Sequence, residues 1–183
     1  AARRAARILT PSRYSRQCLI DNLGVEAEKI IVCPWAADPD FHPITDSAAL
    51  IDVRRRYSID ADRPYVLAFG AADPRKNTAR LIEAWSCIRH ALRRNWTLLL
   101  VGIQPAAMPR LQQFVCQSGL DDSVLLRGFV PTDDVIRLLC GAELMAYPSL
   151  CEGFGLPVLE AFACGTPVLS SNVTSIPEVA ADA

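Results

Sequence analysis

The stretch SLCEGFGLPVLEAFACGTPVLSS, residues 149–171, decides how the rest of the chain is read. It opens as a loop over Cys151–Gly155 and turns into a helix at Leu156-Pro157, where a proline gives up only an N–H that a helix start leaves unpaired anyway. Gly165 is the matching stop, Pro167 follows it, and PVLSS reads as the next strand. The start of such a helix presents several free N–H groups and the positive end of its dipole. Gly153 and Gly155 stand just before it and let a ligand approach the backbone closely. The combination predicts an anion site suited to phosphate.

Two carboxylates flank that site, Glu152 in the loop and Glu160 in the helix. An ionised carboxylate accepts hydrogen bonds from neighbouring hydroxyls through both its oxygens, so a phosphate site between two glutamates suits a nucleotide sugar. Taken singly, a helical glutamate is more often plain solvated surface.

EGFGLPVLEAFACGTPV resembles the E-x7-E signature of family-4 (group 1) retaining glycosyltransferases, found in the nucleotide-binding half of the two-Rossmann GT-B fold. The match runs through glycines, prolines and both glutamates. The resemblance implies that Glu152 faces the hydroxyls of the donor sugar and that the backbone of Gly153, Phe154, Gly155 and Leu156 holds the diphosphate. It also implies that Glu160 holds the ribose.

Working back from this stretch, apolar strand patterns at Tyr65–Phe69, Thr97–Val101, Val124–Leu126, Leu144–Tyr147 and Pro167–Ser170 alternate with helical ones. The helices are expected from Asn77 or Thr78 to about Arg93, over Met108–Ser118, from a Thr132 cap to Cys140, over the opening motif, and from Ile176 or Pro177. The alternation predicts an α/β fold with a doubly wound parallel sheet, which the resemblance makes the Rossmann-like C-terminal half of a GT-B fold.

Ligands of such sheets bind beyond the carboxyl ends of the strands. Three loops qualify: Gly70 to Asn77, Arg127 to Pro131, and Cys151 to Leu156. Arg75 and Lys76 stand before a helix start, where a cation is unfavourable unless an anion accompanies it. The family places a basic residue here to neutralise the donor diphosphate. The run PRKN resembles that element, with Lys76 the closer match. Glu152, Arg75 and Lys76 are thus the expected catalytic set, and Gly70 joins the donor-binding loops. For Arg127, Phe129 and Val130 the resemblance implies backbone contacts to the base. One departure stands out: the family commonly has Arg after the strand-ending glycine, and this chain has Ala71.

A nicotinamide-binding Rossmann domain does not fit. Its G-x-G-x-x-G would need a small residue where Val158 stands, and would follow the first strand rather than the fourth. No run of about 18 apolar residues is present. A net charge of −1 over 183 residues disfavours a nucleic-acid partner. The seven cysteines form no C-x-x-C pair and only two histidines occur, which disfavours zinc and favours reduced thiols and a cytoplasmic location. Cys151 borders the phosphate loop, but no histidine lies near it in sequence to activate it as a nucleophile. The Arg54-Arg55-Arg56 triplet reads as a solvated helix end.

Residues 1–43 end in a segment with three prolines, Pro34, Pro39 and Pro43, that reads as a linker. They resemble the tail of the family's N-terminal acceptor domain with its interdomain connection, and residues 44–183 the donor-binding domain. The chain is expected to be part of a longer protein, inactive in transfer when isolated. The expected full-length enzyme moves a hexose-type sugar from a UDP-, GDP- or ADP-sugar to a saccharide or lipid-linked glycan acceptor, retaining anomeric configuration by front-face substitution. Peripheral membrane association of the full-length protein is compatible with that acceptor class. No cofactor is expected, and no metal, since no Asp-x-Asp lies in the three loops. The alternatives are a nucleotide-sugar-binding module without transfer, or a nucleotide-sugar epimerase of the same architecture.

Overall fold

A computed structural model describes residues 2–70, 72–92 and 96–181. The departure at Ala71 and the expected helix end near Arg93 lie outside the described residues.

Two parallel sheets form. The smaller pairs β1 (Ile8–Thr10) with β2 (Ile30–Val32), and α1 (Arg13–Leu23) makes the crossover between them. Ser12 opens α1 from extended backbone and its hydroxyl accepts the N–H of Ser15; Gly24 closes the helix at φ +58°. Residues 33–46 carry neither helix nor strand, as three prolines in a short span dictate.

The larger sheet has five strands: β3 (Tyr65–Phe69), β4 (Thr97–Val101), β5 (Val124–Leu126), β6 (Leu144–Tyr147) and β7 (Val168–Ser170). Their order is β5-β4-β3-β6-β7, parallel throughout, so the expected doubly wound sheet is present. α2 (Ser47–Arg56) precedes it. α3 (Thr78–Leu92), α4 (Met108–Gln117), α5 (Thr132–Cys140) and α6 (Leu156–Ala163) make the crossovers, and α7 (Ile176–Ala180) follows β7. Thr132 is the first residue of α5 rather than its cap; Pro131 takes the cap position. Asn77 stands at the start of α3, its carbonyl accepting the Leu81 N–H at 3.1 Å. It closes the preceding turn at φ +58° and sends its amide elsewhere.

The central strands β3, β4 and β6 are buried on both faces, which is why they read as continuous apolar runs, whereas β7 at the sheet edge leaves Leu169 exposed. Tyr65, Leu67, Met145 and Tyr147 pack toward α2, α5, α6 and α7. Val66, Ala68, Leu98, Leu100 and Ala146 pack toward α3 and α4. The arginine triplet is only partly a solvated face. Arg55 is 81% exposed, whereas Arg56 reaches both oxygens of buried Asp134 on α5 at 2.7 Å. Tyr57 and Arg137 also donate to that carboxylate, so its pKa falls below the ordinary value although burial pushes the other way. Arg54 lies 4.9 Å from the centre of the Tyr65 ring.

Among the described residues no helix is long and apolar enough to cross a membrane.

Candidate functional site

The strand order locates the site. β3 and β6 are neighbours at the centre of the sheet, but the chain leaves β3 toward β4 and leaves β6 toward β7. Loops that depart in opposite directions open a crevice between them, the place where ligands of doubly wound sheets bind.

From the β3 side, residues 72–77 enter this crevice. Asp73 caps a short turn over Pro74–Lys76, accepting the N–H of Arg75. The turn is stitched to the β6 loop: Leu150 N–H donates to the Arg75 carbonyl at 2.7 Å, and the Asn77 amide donates to the Pro148 carbonyl at 3.2 Å. This seats the Lys76 ammonium 2.7 Å from Glu152 Oε1, 3.3 Å from the Tyr147 hydroxyl and 5.1 Å from the centre of the Tyr147 ring. Burial pushes the Glu152 carboxyl upward, yet hydrogen bonds from Lys76, Ser149 and Tyr147 outweigh it, so the pKa falls below its ordinary value. Tyr147, buried and beside that carboxylate, is raised well above the usual phenol.

From the β6 side comes the glycine loop. Gly155 stands at φ +116°, ψ 44° as the residue before α6, a conformation that glycine adopts without a Cβ penalty. The Glu152 carbonyl accepts from Ser175 Oγ at 2.8 Å, and the Phe154 carbonyl from the same hydroxyl at 2.9 Å. The Gly153 carbonyl accepts from Ser12 Oγ at 2.7 Å and Ser15 Oγ at 2.8 Å, and the Gly155 carbonyl from the Val158 N–H at 2.9 Å. No N–H of Gly153, Phe154, Gly155 or Leu156 has an acceptor among the described residues. A run of free donors at a helix start, beside a lysine, is a cradle for an anion such as phosphate.

Comparisons with known proteins agree with this geometry. The family described as glycosyl transferases group 1 matches residues 51–183. The chain belongs to the group 1 glycosyl transferases. It is 36% identical over 176 residues to the O-antigen chain mannosyltransferase B of Escherichia coli, covering 96% of this chain and 46% of that protein. It is 34% identical over 179 residues to the serotype-specific mannosyltransferase WbdA of the same organism, covering 96% of this chain and 22% of that one. The chain thus spans about half the length, or less, of these relatives. Among solved structures it resembles Anabaena HepE in complex with UDP and glucose, with a TM-score of 0.83 and 25% identity over 98% of this chain and 48% of that one. A Rickettsia africae glycosyltransferase has a TM-score of 0.85 at 21% identity, over 96% of this chain and 47% of its own, and speaks for the fold alone. The fold is the Rossmann-like C-terminal half of a GT-B glycosyltransferase.

Within this group 1 glycosyl transferase chain the sequence-predicted residues fall into two sets. Lys76, Glu152 and the Gly153–Leu156 backbone come together at the crevice. Gly70, at the end of β3, is held by its N–H on the Val101 carbonyl, and a Cβ there would meet Ile103 Cγ1 at 2.8 Å, so glycine keeps the adjoining β4 loop close. Phe154 offers only backbone: its ring is buried and meets Trp35 edge-on at 5.8 Å. Glu160, a turn into α6, is half-buried, and its carboxylate has no hydrogen-bond partner among the described residues. Burial first, and then nearby Asp38, raise its pKa.

Arg75 stands beside this set, near enough for the Glu152 charge to help raise its pKa, but makes no hydrogen bond to it through its side chain. Its guanidinium turns to Asp73 at 2.6 Å and is 66% exposed. The Arg127 side chain donates to the Tyr57 and Leu126 carbonyls, and its backbone is engaged as well, the N–H on the Leu100 carbonyl at 2.8 Å and the carbonyl accepting the Ile103 N–H at 3.1 Å; Val130 is buried and Phe129 is 88% exposed. Among the described residues the Cys151 Sγ meets no base: it lies 3.8 Å from the Tyr14 hydroxyl, whose pKa is pushed up to about 12 by hydrogen bonds to Cys151 and Cys18. All seven cysteines are free thiols. Sequence reasoning missed Tyr147, Asn77 as the link between loops, and the Ser12, Ser15 and Ser175 hydroxyls. Nothing local in the sequence signals a bond from Ser12 to a carbonyl 141 positions away.

Proposed function

We propose that this chain is the donor-binding half of a retaining family-4 glycosyltransferase that moves a hexose-type sugar from a nucleoside-diphosphate sugar to an acceptor by front-face substitution. The observation that carries the reading is the row of free N–H groups from Gly153 to Leu156 set beside the Lys76–Glu152 pair at the crevice. Breaking the bond to the anomeric carbon places negative charge on the leaving diphosphate. Preorganised N–H dipoles and a lysine aimed at that charge lower the barrier. Without donor, Lys76 is engaged by Glu152; with donor, phosphate takes the ammonium and Glu152 turns to the sugar hydroxyls. The Glu160 side chain, without a hydrogen-bond partner among the described residues, is then the carboxylate for the ribose, and the loop after β5 meets the base through the backbone of Phe129 and Val130, Arg127 and Gly128 being tied to the β4 loop.

The positive charge for the phosphates comes from the protein, so donor binding is metal-independent. Residues 1–43 belong with an acceptor-side domain, and residues 44–183 are the donor domain. The mannosyltransferase relatives make a mannosyl donor the first to test. A cytoplasmic enzyme acting on a saccharide or lipid-linked acceptor, peripherally membrane-associated when full length, fits this donor chemistry.

The test is calorimetric titration of this chain with UDP, GDP and ADP and their mannosyl and glucosyl derivatives, first with EDTA and then with magnesium. The expected result is one preferred nucleotide, bound equally well under both conditions and more weakly as salt rises. Binding that requires the metal overturns the charge assignment, and absence of any nucleotide binding overturns the reading of the site.

A further inference from the structure

The anchors of the glycine loop come from two different parts of the chain. Ser175, fully buried, precedes α7 next to the five-stranded sheet, and its hydroxyl serves the Glu152 and Phe154 carbonyls. Ser12 and Ser15 belong to α1, the crossover of the two-stranded sheet, and both donate to the Gly153 carbonyl. A trans peptide points its C=O and the next residue's N–H in opposite directions. Fixing the Gly153 carbonyl on the two serines therefore fixes the Phe154 N–H, a central donor of the cradle.

What holds α1 in place is also visible. Its first two N–H groups, on Arg13 and Tyr14, donate to the two Glu178 carboxylate oxygens at 2.8 Å each. An anion at a helix N-terminus is favourable, so α7 grips α1 end-on while the α1 hydroxyls grip the phosphate loop. Trp35 on Phe154 adds an apolar contact from the residues that follow β2.

We infer that Ser12 and Ser15 are positioning residues for the phosphate cradle, and that diphosphate affinity depends on the docking of α1, an element outside the donor sheet. The inference rests on the phosphate reading above. A carbonyl released from both hydroxyls lets the Gly153–Phe154 peptide rotate, since glycine tolerates many backbone conformations. The cradle then loses a fixed donor without losing any residue that touches ligand.

The test compares wild type with Ser15→Ala, Ser15→Thr and the Ser12→Ala/Ser15→Ala double variant. Ligand-observed NMR competition measures UDP, GDP and ADP against uridine, guanosine and adenosine. Thermal unfolding is followed alongside, because Ser12 also caps α1. For the preferred base, the double variant is expected to lose about tenfold in diphosphate affinity with nucleoside affinity unchanged. Ser15→Ala, which keeps one donor on the carbonyl, is expected to lose roughly threefold, and Ser15→Thr, which keeps the hydroxyl, to match wild type. Equal loss of diphosphate and nucleoside overturns the inference, as does full diphosphate affinity in folded Ser15→Ala and double variants. A wild-type chain that shows no preference for diphosphate over nucleoside instead overturns the underlying site reading.

Discussion

At the scale of single residues the crevice is an arrangement of charges that oppose one another's ordinary behaviour. Glu152 has 16% of its side chain exposed and Lys76 has 28%, so the carboxylate relies on the Lys76 ammonium, with Ser149 and Tyr147, to stay ionised away from bulk water. Because the folded Glu152 pKa lies below the ordinary 4.5, its stabilising contribution is present above 4.5 and is lost as pH falls through the lower folded value. Lys76→Met is expected to cost about 1–3 kcal/mol of stability at neutral pH, by leaving a part-buried carboxylate uncompensated. The gap between wild type and variant should shrink on acidification; denaturant titrations across the acidic range read it, and a pH-independent gap contradicts the pairing. Glu160 is the opposite case. Its folded pKa lies above 4.5, raised by burial and by Asp38, so the stability of its protonated form is lost as pH rises through that value. Glu160→Gln should therefore unfold at a higher temperature than wild type at neutral pH, while binding the preferred nucleoside diphosphate at least about tenfold more weakly. Scanning calorimetry and titration together check this trade, and a variant that gains stability and keeps its affinity removes Glu160 from the ribose.

Helix α6 and the loop before it show how one element carries both structure and chemistry. Val158 and Ala161 are fully buried against the sheet and fix the helix axis, while the start of α6 faces the crevice with its N–H groups free. Gly155 makes the transition at φ +116°. A Cβ there would meet only Val158 Cγ2 at 3.9 Å and Val179 Cγ2 at 4.0 Å, ordinary contacts, so any cost of a side chain lies in the backbone and not in crowding. Gly155→Ala is expected to destabilise by about 1–2 kcal/mol and to weaken diphosphate binding, because the chain escapes the left-handed region by turning the cradle's peptides. Chemical denaturation with parallel nucleotide titration measures both, and unchanged binding would detach the turn from the cradle.

Across the whole molecule, the two sheets meet where the phosphate loop is held. Glu178 on α7 grips the start of α1, Ser12 and Ser15 grip Gly153, and Trp35 covers Phe154. Glu178→Gln replaces a two-sided acceptor by an amide that can accept through one atom only. Hydrogen exchange at the Arg13 and Tyr14 amides should quicken roughly tenfold, with exchange in β3, β4 and β6 unchanged, since those strands sit in a core that α1 does not support. Exchange that quickens throughout the sheet would make Glu178 a global stabiliser instead of a local grip.

How much of this was legible from the residues varies with distance along the chain. The alternation of apolar strands and amphipathic helices and the proline and glycine that bound α6 are local patterns, so the sequence alone determined the α/β class and most element limits. It also placed Glu152, Glu160 and the free N–H run together, because a loop and the first turns of one helix are neighbours in sequence as well as in space. The tertiary structure decided what depends on distant partners. Lys76 rather than Arg75 meets Glu152, because Asp73 captures the nearer guanidinium and the Leu150–Arg75 and Asn77–Pro148 hydrogen bonds aim the turn. Arg127 belongs to the Tyr57 carbonyl, and three serines orient the cradle. These contacts join residues that are neighbours only after the sheet has formed, and no local propensity records them. Apolar periodicity repeats along a chain and can be read anywhere in it, whereas a single hydrogen bond between far-separated residues leaves no periodic trace.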